Sequence, residues 1–82
     1  MLAAMSVTAA SLELGRSGVI EDVEGTDATA VRLLEMGLVP GTTVTLLKRA
    51  PLGDPLQFRV RGFHLSLRRA EAARVVVTEA GA

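Results

Sequence analysis

The one histidine in this 82-residue sequence, His64, has neither a second imidazole nor any cysteine to work with. Acyl-transfer chemistry needs a nucleophile, a base and a group that orients the base, and no spacing here assembles such a set. Ser17 and Ser66 lack an elbow motif around them. The stretch Gly15-Arg16-Ser17-Gly18 lacks the Lys-Ser/Thr ending of a phosphate loop. Asp54 and the scattered glutamates can meet in space, but their spacing does not show it. Catalysis by this chain alone is not expected. A metal site inside one chain is short of ligands in the same way. His64 therefore reads as a surface residue, or as a ligand for a weakly held divalent metal at a contact between two chains, completed by carboxylates of a second copy. No cofactor is required.

Cations are the more abundant resource. Arg49, Arg59, Arg61 and Arg68 fall in the second half of the chain. Each reads as a docking or solvated surface residue, or as an arginine supplied in trans to a partner's phosphoryl transfer. Nucleic acid is not the expected partner. Nine basic and nine acidic side chains cancel, Trp and Tyr are absent, and both phenylalanines are expected to face the core rather than stack on bases. The charge is nevertheless uneven. Glu13, Glu21, Asp22, Glu24, Asp27 and Glu35 crowd the first half, with only Arg16 and Arg32 to balance them. Either half can be plain solvated surface or a docking face.

The elements that position these residues are short. Residues 1–10 are uncharged and too few to span a bilayer, and they lack a basic segment of the signal-peptide type. They are expected to form a flexible leader, with the ordered domain over 11–79. Ser11 is a candidate N-cap for one turn carrying Leu12 and Leu14. A strand is predicted over 17–23. A helix follows at about 27–36, capped by Thr26 or Asp27, with Val31 and Leu34 on its apolar face. Gly37 ends it as a left-handed residue, and Leu38 folds back on the last turn. Pro40-Gly41 suits the corner of a type II turn.

Strands are then predicted over 43–50, 56–60, 63–67 and 75–77, with Gly62 as a bulge or tight turn and a helical turn at 69–73. The predicted core is Leu34, Met36, Val44, Phe58, Val60, Phe63, Leu65, Leu67 and Val76. The fold class is mainly β with one short helix: a small five-stranded β-barrel.

Between two of those strands lies Ala50-Pro51-Leu52-Gly53-Asp54-Pro55, more elaborate than a hairpin requires. Pro51 and Pro55 fix their own φ and restrict the residue before each, and Asp54 can accept from nearby amides. The product is a stiff loop projecting Leu52. Such a loop can serve only to set the register of a sharply bent barrel. It can also serve recognition, since prolines lower the ordering cost of binding.

Several motifs together resemble one known family. Leu33-Leu34-Glu35-Met36-Gly37-Leu38-Val39-Pro40-Gly41-Thr42-Thr43-Val44 is similar to a segment of the ferrous iron transport protein A family (FeoA). So are Ala50 to Pro55, Val60-Arg61-Gly62, Leu65-Ser66-Leu67-Arg68 and Glu71-Ala72, in the family's order. The resemblance covers about residues 11–78. It implies a cytoplasmic, SH3-like barrel in which Met36, Gly37, Pro40, Gly41, Pro51, Pro55 and Gly62 carry the structural motif. It also implies a small accessory protein of a bacterial ferrous iron uptake system. The partner would be the membrane transporter component with a cytosolic GTPase domain (FeoB-type), which the protein binds and modulates. Leu52, Gly53 and Asp54, helped by Arg61 and Arg68, are the expected contacts, with the transporter or with a second copy in a weak homo-oligomer. No insertion into the membrane is expected. The same module ends iron-dependent repressors, which leaves a regulatory peptide-binding module as the alternative.

Overall fold

The structure, a computed structural model, describes residues 5–79. Six strands form one antiparallel sheet: β1 (Met5–Thr8), β2 (Ser17–Val23), β3 (Thr43–Arg49), β4 (Leu56–Val60), β5 (Phe63–Leu67) and β6 (Val75–Glu79). They lie in the order β1-β6-β2-β3-β4-β5. Helix α1 (Ala28–Glu35) connects β2 to β3, and the short helix α2 (Arg69–Ala72) connects β5 to β6. No described helix is long and apolar enough to cross a membrane.

The strand missed in the sequence is β1. Residues 5–10 were expected in a flexible leader; instead Met5–Thr8 pairs with β6 and Ala9–Ser11 makes a 3-10 turn. Residues 1–4 of the expected leader lie outside the described residues. Two hydroxyls explain the docking of an uncharged strand. Ser6 Oγ donates to Glu21 at 2.8 Å, and Thr78 Oγ1 donates to the same carboxylate, so one side chain joins β1, β2 and β6. Both bonds favour the ionised carboxylate and hold the Glu21 pKa below its usual 4.5. Ser11 does not cap a following turn. Its hydroxyl closes the preceding one, accepting from Thr8 N at 3.2 Å and donating to Thr8 O at 2.8 Å.

Helix α1 keeps its predicted ends. Asp27 is the N-cap and accepts from Ala30 N at 3.2 Å. At the other end Leu38 N donates to Leu33 O at 3.2 Å and Gly37 N to Leu34 O at 3.0 Å, the paired bonds of a Schellman motif with Gly37 at φ 100°. Its buried face differs from the predicted one. Ala30 and Leu33 are buried, while Val31 and Leu34 are exposed. Ala30 on the buried face is small, and Leu38 from the folded-back end joins Leu33 in the buried cluster. Pro40-Gly41 makes the expected type II corner, closed by Thr42 N to Val39 O at 3.1 Å, and Gly41 N donates to Ile20 O at 2.8 Å to attach it to β2.

One cluster of buried side chains fills the rolled sheet, centred on Phe58, Leu12, Ile20, Leu33, Leu46 and Leu56. Val44, Val60 and Leu67 take their predicted core places, and Met36 and Leu65 pack against the cluster half-buried. Two further core assignments fail. Val76 is half-buried while Val75 and Val77 point in. Three consecutive valines carry no alternation to orient them, and a bulge in β2 between Ile20 and Asp22 shifts the register opposite. Phe63 is 46% exposed. It lies on the inward side of β5 but at the strand's open end, where its ring tip comes near Gly37 of the helix terminus. Gly62 is a tight turn and no bulge. Arg61 (φ 50°) and Gly62 (φ 84°) form a two-residue type I′ corner between β4 and β5.

Candidate functional site

The loop from Ala50 to Pro55 is held by three hydrogen bonds before any partner arrives. Gly53 N donates to Ala50 O at 2.8 Å, closing a β-turn over Pro51 and Leu52. Ala50 N donates to Pro55 O at 3.0 Å, closing the base where Arg49 pairs with Leu56. The third bond ties the loop to α2, Asp54 Oδ1 accepting from Arg69 N at 3.0 Å. Gly53 adopts φ 88°, which an L residue takes only under strain, and the Asp54–Pro55 bond is cis. The frame leaves Leu52 at 96% exposure, the most solvent-exposed large apolar side chain described.

The predicted contact set is only partly brought together. Leu52, Gly53 and Asp54 are one unit, and Arg68 stands beside them at the start of α2. Asp54, however, is committed to the Arg69 amide. Arg61 is remote: the five residues of β4 separate it from the loop, roughly 17 Å of strand. Its guanidinium instead donates to the buried Thr42 Oγ1 at 3.2 Å, covering the Pro40-Gly41 corner. Arg49 also has an internal task, donating to Leu12 O at 2.9 Å. His64 is exposed, as its alternation implied, and faces Arg59 across the β4–β5 ladder. Among the described residues no group of three or more His, Cys, Asp or Glu is gathered for a metal.

Two clefts flank the loop. One of about 490 Å³ is lined by Arg32, Met36, Pro55, Ser66, Arg68 and Glu71. The other, about 380 Å³, runs from Lys48 and Arg49 past Pro51 and Pro55 to Gln57 and Ser66. Pro55 and Ser66 belong to both, so the clefts adjoin at the base of the loop. Glu71 is paired with Arg32, which leaves the cleft walls cationic. Gln57 and Lys48 were not singled out in the sequence, and Ser66 only as a hydroxyl without an elbow motif. The signal was present: a two-residue turn at Arg61-Gly62 forces Gln57 opposite Ser66, and β3 then sets Lys48 beside Gln57.

On the far side, Arg74 fixes the entry to α1. Its guanidinium grips Asp27 with two bonds of 2.5 and 3.1 Å and also donates to Glu24 O. That grip pulls the Asp27 pKa below its usual 3.8 and raises that of Arg74.

A sequence model of the FeoA domain matches residues 7–79. The chain belongs to the FeoA family. It is 44% identical over 66 residues to the Fe(2+) transport protein A/Fe(2+) transporter FeoB fusion protein of Porphyromonas gingivalis, spanning 80% of this chain but only 8% of that protein. Among solved structures, the FeoA of Stenotrophomonas maltophilia, a prokaryotic SH3 domain protein complexed with zinc, is 40% identical with a TM-score of 0.77. The match covers 87% of this chain and 88% of that one. The FeoA protein of Chlorobium tepidum is 33% identical with a TM-score of 0.81, over 89% of this chain and 70% of that one. A manganese-dependent transcriptional repressor superposes with a TM-score of 0.82 at 12% identity, over 94% of this chain and 43% of that one, a likeness of fold alone. The barrel is thus an SH3-like FeoA domain, with a sixth strand added to the expected five.

Proposed function

We propose that this FeoA-family chain is a cytoplasmic accessory protein of ferrous iron uptake that binds the cytosolic GTPase part of an FeoB-type transporter and modulates it. The observation that carries this reading is Leu52, held almost wholly in solvent by a loop whose backbone bonds are already made. Exposing an apolar side chain costs free energy in water, and a rigid frame lowers the entropy lost on binding. The fusion of the two components in the Porphyromonas relative supports that choice of partner. In this reading Leu52 is the anchor, Gly53 the residue that permits its presentation, and Arg68 part of the polar rim. Asp54 acts indirectly, as the bond that fixes the loop to α2.

The test compares Leu52→Ala with wild type for melting temperature, for binding to the purified GTPase domain, and for iron uptake in a complementation assay. Unchanged melting with binding and uptake lost supports the reading. Binding retained at wild-type affinity overturns it.

The zinc in the Stenotrophomonas structure supports a narrower proposal, that a divalent metal is held between two copies of the chain through His64. Size exclusion with and without zinc, on wild type and His64→Ala, decides it. Metal-dependent association that persists in the variant removes His64 from the site.

A further inference from the structure

Strand β5 is an edge of the sheet. Its register is fixed by the type I′ corner at Arg61-Gly62, so the closing pair Val60↔Phe63 exchanges both backbone bonds. Alternation along an antiparallel ladder then sends the N–H and C=O of His64 and Ser66 to the free side. Among the described residues no turn, loop or side-chain bond takes them up. The larger cleft runs along the same side, between the end of α1 and the start of α2, with Ser66 in its wall.

The two faces of this edge differ in chemistry. Outward, His64 stands beside Arg59, and Ser66 beside Gln57 and then Lys48. The walls of the two clefts hold four cations and a single carboxylate, Glu71, already paired with Arg32. Inward lie Phe63 and Leu65, and Phe63 remains 46% exposed because Gly37 offers it no side chain.

We infer that the β5 edge accepts an extended acidic segment of a partner polypeptide as a seventh strand. A guest strand would satisfy the His64 and Ser66 backbone groups. Its side chains alternate, one set covering Phe63 and the other meeting Arg59 and the cleft cations, so the fitting pattern is apolar and acidic in turn. A second copy of this chain fits poorly. Its β5 strand, Phe63–Leu67, carries no carboxylate, so β5 of a second copy would leave Arg59 and the cleft cations unmatched. The inference does not depend on the Leu52 anchor: Arg68 borders both surfaces, but the β5 edge uses no contact of Leu52 itself.

The test titrates isotope-labelled protein with a short peptide of alternating glutamate and valine, with a lysine–valine peptide as control. The expected result is saturable shifts at His64, Ser66 and Phe63 with the acidic peptide only, and slowed exchange of the His64 and Ser66 amides. Reversing Lys48→Glu and Arg59→Glu together should weaken binding at least about tenfold. Ser66→Pro should abolish it while leaving the β4 ladder intact, since that N–H faces away from β4. Should the proline variant fold poorly, peptides N-methylated on alternate residues answer the same question on wild-type protein. One methylation frame should bind and the other should not. Equal binding of both frames, equal binding of the lysine peptide, no binding, shifts confined to β1 or Leu52, or shifts that track the protein's own concentration would each overturn the inference. Leu52→Ala should bind the peptide normally, so failure here and failure of the loop reading are separable.

Discussion

Two phenylalanines show how differently the same residue type can be used. Phe58 is 1% exposed at the centre of the cluster. Phe58→Ala should cost roughly 3–5 kcal/mol, a large share of what so small a domain possesses. Phe63→Ala should cost about 1 kcal/mol or less, since half of that ring is already in water. Thermal denaturation of the two variants checks the contrast. The alternation of 56–60 made Phe58 legible in the sequence. It could not make Phe63 legible, because the pattern reports which side of a strand a residue occupies and says nothing of what covers that side. Asp27 offers a second test at this scale. Its carboxyl pKa is depressed in the folded chain, so its contribution is present above the unfolded value near 3.8 and fades as pH falls through the folded one. Asp27→Asn should therefore be less stable than wild type at neutral pH, and the difference should shrink as pH drops below about 3.8. Parallel melts across acid pH measure it.

The loop at 50–55 and helix α1 were both foreseen as elements, yet their contacts were not. The prolines announced rigidity, but only the structure reveals that Asp54 bonds to the Arg69 amide. Asp54→Ala should accordingly lower stability by about 1 kcal/mol, the usual loss when a side chain that satisfies a helix-start amide is removed. Leu52→Ala should leave melting unchanged. For α1, caps at both ends were readable because they are local chemistry. The buried face was not, because choosing Ala30 and Leu33 over Val31 and Leu34 depends on how closely the sheet lets the helix approach. Close approach also governs Gly18 in β2. A Cβ there would fall 2.7 Å from Val77 Cγ2 on β6. Gly18→Ala should cost about 1–3 kcal/mol through overpacking, measurable by denaturant titration.

For the whole molecule, the missing piece was the order of strands. Local signals gave five strands in their places, while β1 had none of its own. Its four residues are uncharged and mostly unburied, and they hold their position through β6 and the Glu21 carboxylate. A chain lacking residues 1–8 should keep the barrel, lose roughly 1–3 kcal/mol, and self-associate through the bared β6 edge. Denaturation and size exclusion report the two effects. Single substitution of Arg59→Ala or Arg68→Ala should leave the hydrolysis rate of a GTPase partner within about tenfold, where removal of an arginine finger would cost ~10³–10⁵-fold.

The pairing of Met5 with Glu79 sets the two ends of the described chain side by side, about 5 Å apart. The first and last strands of the described chain are thus also neighbours in the sheet. A circular permutant, joined through a few residues between those ends and reopened between Leu52 and Gly53, would keep every strand neighbour it now has. It would lose only the covalent closure of the arch that carries Leu52. Such a permutant should refold to the same sheet, and its affinity for the GTPase partner would measure what closure of that arch alone contributes.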